Sequence, residues 1–300
     1  MEQKDGIIIV DKESGPSSSR MVETIKGLVG AKKVGHAGTL DPFASGILII
    51  LLNQGTKLSP YVMAQDKIYR AALRLGIETD TQDITGRIIR TRGIGKLDQK
   101  TIEEKSQDFV GVIKQVPPLY SAVHCQGRRA YEFAREGVDV ELKEREVRIT
   151  YIQVLSVDLP TIWIEVGCSS GTYIRTMAAD LGNCLGTGAH VTFLRRLQSG
   201  AFHVDNAHTV AQLAHYRSDR KMDEVIIPLK EALEGMGEVE VSDAVARKIR
   251  SGQKLRRDEI GNQVPLSSPR GSSLKAVMRE ELVAILEEAR DGYTIRRVFT

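Results

Sequence analysis

The chain has 300 residues, 41% of them apolar and 27% charged, with a net charge of only +3 and a pI near 8.7. That balance excludes a disordered chain, and it requires any anionic partner to be met by a local patch rather than by the overall charge. The longest aliphatic run, Ile47 to Leu52, is too short to cross a membrane, and the three scattered cysteines, Cys125, Cys168 and Cys184, contain no CxxC pair, which leaves neither a zinc site nor a disulfide framework.

GIIIVDK opens the chain as a β-branched run that ends on charge, the signature of a strand. The N-terminus, MEQKDGIIIVDK, lacks the apolar core of a signal peptide, and the cysteine pattern makes a reducing cytoplasm the expected setting. SSSRMVETIKGLVG reads as a capped helix with Met21, Val22, Ile25, Leu28 and Val29 on one face and Gly27 and Gly30 at its end. A glycine-punctuated loop, GHAGTLDPFAS, then runs into GILIILL, a buried strand. KIYRAALRLG alternates as a further strand, and ETDTQDITG is a turn-rich link. LDQKTIEEKSQDFVG is helical, with Asp98 placed to cap it.

VPPLYSAVH is extended because of its proline pair, and GRRAYEFAREG is a short amphipathic helix. REVRITYIQVLSVDL and TIWIEVGC are strands, YIRTMAADLGNCLG is a helix between glycines, and AHVTFLRRLQSGAF alternates again. Strands and helices mix without a regular βαβ rhythm, so the fold class is α+β. Proline, two glycines and acidic residues mark a boundary in PLKEALEGMGEVE, residues 228 to 240. Beyond it VSDAVARKIRSGQKLRRDE starts like a helix with six basic residues, and the stretch after it, including GNQVPLSSPRGSS, is loop-like. That remainder, on the order of 60 residues, is small for a free-standing core and needs docking on the main body.

The loop around Asp41 is the candidate for chemistry. Pro42 pushes Asp41 toward extended geometry, while Gly35, Gly38 and Gly46 leave room for a bulky group to approach. From spacing alone, a turn in which Asp41 only bonds its neighbours is the favoured reading, because Asp-Pro turns are common. Asp80 and Asp83 in TDTQD lack the further ligands of a calcium loop and read as a turn with capped ends.

The wider pattern resembles the TruB family of pseudouridine synthases. GHAGTLDPFASGILII is similar to the family's catalytic loop, and IVDKESGPSSSRMV to its N-terminal DKPxGxTS element. DKIYRAALRLGIETDTQDITGRI, PPLYSAVHCQGRRAYEFAREG, CSSGTYIRTMAADLG and GAHVTFLRRLQSGAF come after these in the family's order. Several ordered blocks carry far more weight than one motif. Glu13, Ser17, His124 and Ser170 depart from the family's proline, threonine and two lysines, which removes fixed positive charge from two positions.

The resemblance implies a central mixed, largely antiparallel sheet flanked by helices in residues 1–228, with an insertion at about 76–150, and a small PUA-like, β-rich RNA-binding domain at 238–300. It implies that Asp41 is the catalytic carboxylate, that Arg175 in GTYIRT fixes and ionises it by lowering its pKa, and that Tyr69 lies against the flipped base. Tyr173 and Leu194 would line the pocket. His36 would contact RNA, Lys12 would brace the loop, and Lys57 would sit near the RNA backbone.

The implied reaction isomerises uridine 55 in the T arm of tRNA. It needs no cofactor and no metal, and the chain carries no Walker loop and no GxGxxG turn. A monomer acting without guide RNA or membrane is expected, the 76–150 block favouring the stand-alone form over a guide-dependent relative. The pairs Arg128–Arg129, Arg195–Arg196 and Arg256–Arg257 offer charge to phosphates. A separate reading is an RNA-folding helper in which catalysis is secondary; it requires Asp41→Asn to keep most of the biological effect.

Overall fold

The computed structural model describes residues 4–260 and 273–300. The opening run forms β1 (Gly6–Lys12). Helix α1 (Ser18–Val29) begins where the Ser17 hydroxyl accepts from the Arg20 amide, and it ends at Gly30 in the left-handed region, φ 66°. Met21 and Ile25 turn its apolar stripe inward. The glycine-punctuated stretch is not all loop: β2 (Val34–Ala37) pairs with β3 (Ser45–Leu52), so His36 stands on a strand opposite Ile50. β3 is buried along nearly its whole length because β1 takes one edge while β2 and a later strand share the other.

After a short α2 (Ser59–Met63), β4 (Lys67–Leu75) crosses the centre of the sheet. The turn-rich link closes a small hairpin, β5 (Ile77–Thr79) and β6 (Ile88–Thr91). Asp98 caps α3 (Gln99–Gln107) by accepting from the Thr101 amide at 2.7 Å. The next edge strand is β7 (Gly111–Gln115), and the proline pair comes after it without regular structure. A two-residue pairing, β8 (His124–Cys125) with β9 (Arg128–Arg129), leads into α4 (Ala130–Glu136). The long hairpin β10 (Arg145–Asp158) and β11 (Thr161–Cys168) precedes α5 (Ile174–Cys184) and β12 (Ala189–Ser199), which β13 (Phe202–His203) extends.

Among the described residues, nine strands form one sheet with the path β1-β3-β12-β4-β11-β10-β7, antiparallel throughout except where β12 meets β3. One face packs α1, α3 and α5 over Ile8, Val10, Leu48, Ile50, Leu73, Ile164 and Val166. The arrangement is the expected α+β layering of helices on a mixed, largely antiparallel sheet. Residues 204–227, unassigned from sequence, hold α6 (Val210–Ser218), started by a reciprocal capping box between Thr209 and Gln212.

The tail begins with β14 (Gly237–Glu240), α7 (Asp243–Arg250) and α8 (Arg257–Ile260). The expectation of loop after the basic helix is corrected at residues 273–298, which form β15 (Ser273–Met278), β16 (Glu281–Ala289) and β17 (Gly292–Val298) in the order β14-β15-β16-β17. Glu, Ala and Leu dominate β16 and hide its pattern, and two tight turns divide the three strands, the first through Arg279 and Glu280 at positive φ. The rest of that loop-like stretch, residues 261–272, lies outside the described residues. The small sheet has its own core around Val239, Ile249, Leu274, Ala276 and Leu286. Leu282, Ile285 and Phe299 pack with Ile7, Ile9, Ile49 and Leu51 of the large sheet, so the tail is docked by apolar burial. No helix among the described residues is long and apolar enough to cross a membrane.

Candidate active site

The loop between β2 and β3 is fixed from beneath. Lys12 is fully buried, and its amine donates to the Glu13, Pro42 and Ala44 carbonyls at 2.8, 3.2 and 2.7 Å. Ser18 from α1 exchanges hydrogen bonds with the main chain of Leu40 at 2.9 and 3.0 Å. Gly46, φ +101°, lets β12 come close: a Cβ there would sit 2.2 Å from the Arg196 carbonyl. Asp41 is thereby held on a braced loop at the wall of an open cavity of about 720 Å³.

The Asp41 side chain does not bond its neighbours in an Asx turn. It meets Arg175, near the start of α5, with Nη2 donating to Oδ1 at 3.2 Å and Nε 2.9 Å from Oδ2. The Nε contact is ionic rather than an aligned hydrogen bond. Arg175 is 2% exposed and reaches four residues on three loops. Nη1 donates to Thr81 O at 2.9 Å and to Asp83 Oδ2 at 3.3 Å, and Nη2 donates to Tyr120 O at 2.9 Å. Asp83, 3% exposed, is secured by the Thr81 hydroxyl at 2.8 Å, the Thr85 amide at 2.9 Å and the Thr85 hydroxyl at 2.5 Å. Its place in an Asp41–Arg175–Asp83 chain goes beyond the capped turn read from sequence.

Burial pushes the Asp41 carboxyl up from its ordinary 3.8, and Asp83 adds to that; Arg175, and more weakly Lys12, pull against it. The guanidinium pulls the pKa down as expected, but the net direction is upward. Desolvation wins because the carboxylate has lost most of its water while sharing one cation with a second carboxylate.

Tyr69 on β4 and Leu194 on β12 line the same cavity, as does Tyr173 at the cap of α5. Gln115, 2% exposed, clamps Tyr173 at both main-chain groups: its amide donates to Tyr173 O at 3.2 Å and accepts from Tyr173 N at 3.0 Å. Burial pushes both phenols up, so each hydroxyl stays protonated at neutral pH. His124 and Ser170 line the cavity with Arg129 and Arg145.

Two expected contact residues, Lys57 and His36, lie outside the cavity lining, while Lys12 braces the loop as the resemblance implies. Lys57 turns away, donating to Val298 O at 2.6 Å with its amine 5.6 Å from the Phe299 ring centroid, so it joins the docked tail to the main body and does not reach the cavity. Lys12 has all three protons on loop carbonyls and acts as a strut rather than a surface contact. His36 is outside the lining, two residues before Gly38, with Nδ1 buried and unpartnered. Burial, then Arg196, pulls its ring down, so it is neutral.

The basic pairs also divide. Arg195 forms a two-pronged pair with Asp11 at 3.0 and 2.7 Å, Arg128 pairs with Glu132 and Glu136, and Arg257 pairs with Glu288. Arg196 is buried. Cys125, Cys168 and Cys184 are free thiols, and among the described residues no group of three or more His, Cys, Asp or Glu is placed to hold a metal.

Comparison with known proteins agrees with this layout. The N-terminal domain of TruB family pseudouridylate synthases matches residues 26–174, and the tRNA pseudouridylate synthase B C-terminal domain matches residues 175–234. A tRNA pseudouridine synthase B of Chromohalobacter salexigens is 40% identical over 86% of this chain and 83% of its own length. The protein of that name from Syntrophotalea carbinolica is 38% identical over 98% of each. Among solved structures, a chain of a Cbf5-Nop10-Gar1 complex superposes with a TM-score of 0.77 at 27% identity, covering 98% of this chain and 84% of that one. Two family domains in sequence and relatives matched over most of their length leave one assignment: the chain belongs to the TruB family of pseudouridylate synthases.

Proposed function

We propose that Asp41 is the group that meets the glycosidic bond when this TruB-family enzyme isomerises uridine to pseudouridine in the T loop of tRNA, at uridine 55. The observation that carries this reading is a single carboxylate at the wall of an open cavity, aimed by a buried arginine, with a tyrosine ring lining the same space. The reaction breaks N1–C1′ and forms C5–C1′; the proton lost from C5 is balanced by one gained at N1. A carboxylate at C1′ can attack that carbon or take a sugar proton, and either role needs it ionised. The base must leave its stack to enter, and the half-buried Tyr69 ring offers it a flat face. Tyr173 and Leu194 enclose it.

Phosphate contacts fall to side chains around the mouth, Arg129 and Arg145, in place of the lysines missing at His124 and Ser170. Residues 238–300 act as a PUA-like RNA-binding domain, a role supported by exposed Arg247, Arg250, Lys254 and Arg256 on and just after α7. The enzyme works as a monomer without guide RNA in a reducing, cytoplasmic setting, which suits its free thiols. Purified protein and an unmodified tRNA transcript test this: one T-loop uridine is converted without additives. Conversion only with a guide RNA would favour the alternative set by the relative found with Nop10 and Gar1, and modification elsewhere would reject the assignment.

The raised carboxyl also fixes a pH dependence. Asp41 is active only above its pKa, so the single-turnover rate falls as pH drops through that value. Because burial moves it upward, the acid limb has its midpoint above 3.8. A rate flat down to pH 4 would contradict this.

A further inference from the structure

Among the described residues Arg196 is the largest fully buried side chain, 1% exposed, and no carboxylate among them lies within ion-pairing distance of it. Its two neighbouring lysines, Lys12 and Lys67, are each pushed down to about 8, chiefly by burial, and so can shed their charge. A guanidinium has no such escape. An unpaired buried cation is costly, and a neutral amide could have served the same carbonyls, so the charge calls for a reason beyond packing.

The geometry supplies one. Nε donates to Ile47 O at 2.8 Å and Nη2 to Gly38 O at 3.1 Å, which locks the plane of the guanidinium against β3 and the loop of Asp41. Arg196 faces Tyr69 directly across the β12–β4 pairing, and both side chains line the cavity, so the edge of the guanidinium not used on the two carbonyls is on the side of the sheet that carries the phenol. Cys168 and Asp41 are the other titratable groups acting on that phenol, from β11 and the loop, and Lys67 lies two residues away on its own strand.

We infer that Arg196 is a positioning residue for the reaction, one that aims the Tyr69 hydroxyl into the cavity through an edge left free when two main-chain carbonyls anchor the rest. This rests on Tyr69 facing the base, as proposed above. A guanidinium suits the task because its donors point in fixed directions and a hydroxyl oxygen can accept from it without competing for its own proton.

The test is a double-mutant comparison by single-turnover modification of a tRNA transcript, with tRNA binding and thermal melting measured beside it. Arg196→Met is expected to slow modification by about 100-fold while tRNA affinity stays within about twofold, and Arg196→Lys to recover part of that loss. Tyr69→Phe with Arg196→Met is expected to be no more than about threefold slower than Tyr69→Phe alone, because both changes remove one device. Full additivity, or Arg196→Lys no faster than Arg196→Met, would overturn the inference. If Tyr69→Phe is too slow to time, recovery by Arg196→Lys decides the matter. A Tyr69→Phe enzyme as fast as the parent would instead remove Tyr69 from the proposed reaction.

Discussion

Asp41→Asn is expected to lower the single-turnover rate of T-loop modification by at least about 10⁴-fold, the scale on which loss of a nucleophile or essential base acts. The substitution keeps the shape of the side chain and one oxygen to accept from Arg175. It removes only the negative charge, and Arg175 keeps Asp83 as a counter-ion at 3.3 Å. Folding should therefore change little. The desolvation that raised the Asp41 pKa no longer applies, which offsets the lost ion pair. Binding of tRNA should also persist, since phosphates are met by basic groups around the mouth rather than by the carboxylate. The outcome is an inactive enzyme that melts normally and still holds RNA. A rate above about 1% of the parent, with the RNA product verified, would exclude Asp41 as the reacting group. The folding-helper reading requires instead that this inactive variant keep most of the biological effect.

Arg175→Met has the second largest expected effect and differs in kind. Arg175 is the only cation in contact with Asp83 and the main one acting on Asp41 among the described residues. Methionine fills much of its volume but leaves two carboxylates facing each other at a buried site, along with the unpaired carbonyls of Thr81 and Tyr120. Removing one partner of a buried ionic network costs on the order of 3–5 kcal/mol. Without the cation that pulls it down, the Asp41 carboxyl is pushed further up, so the reacting carboxylate is lost in part as well as misaimed. Urea denaturation should show the lower stability, and the modification rate should fall by about 10²–10³-fold. Arg175→Lys keeps the charge but cannot serve two carboxylates and two carbonyls at once, and it should lie between. A variant within about 1 kcal/mol and tenfold of the parent would show that the Asp41–Arg175–Asp83 chain is not what holds the site.

Most of the large sheet was legible because its signals are local. Ser17 and Gly30 bracket α1, Asp98 caps α3, and the aliphatic density of Ile47 to Leu52 can only be a strand covered on both faces. Asp41, Tyr69 and Arg175 were singled out through the family resemblance rather than by spacing, and the fold brings all three to one cavity. Asp83 was missed as a functional partner because its cation lies 92 residues away, and turn chemistry accounted for it locally. Arg196 was misjudged although the needed signal was present. Its segment alternates, and alternation sends adjacent residues to opposite faces, so Arg195 and Arg196 could not form one basic patch. Lys57 shows the opposite limit: nothing in its neighbourhood indicates that residues 298 and 299 will cover it. In the tail β16 was hidden by its helix-favouring composition, and docking of the small sheet on the large one outweighed that local preference.

The most direct measurement of the central claim is a structure of the Asp41→Asn enzyme bound to an unmodified tRNA. The account predicts the T-loop uridine turned out of its stack, its ring against Tyr69, and the ribose C1′ within about 3.5 Å of the substituted side chain at position 41. A uridine that enters the cavity with its sugar directed away from that position, or that stays stacked in the RNA, would contradict it.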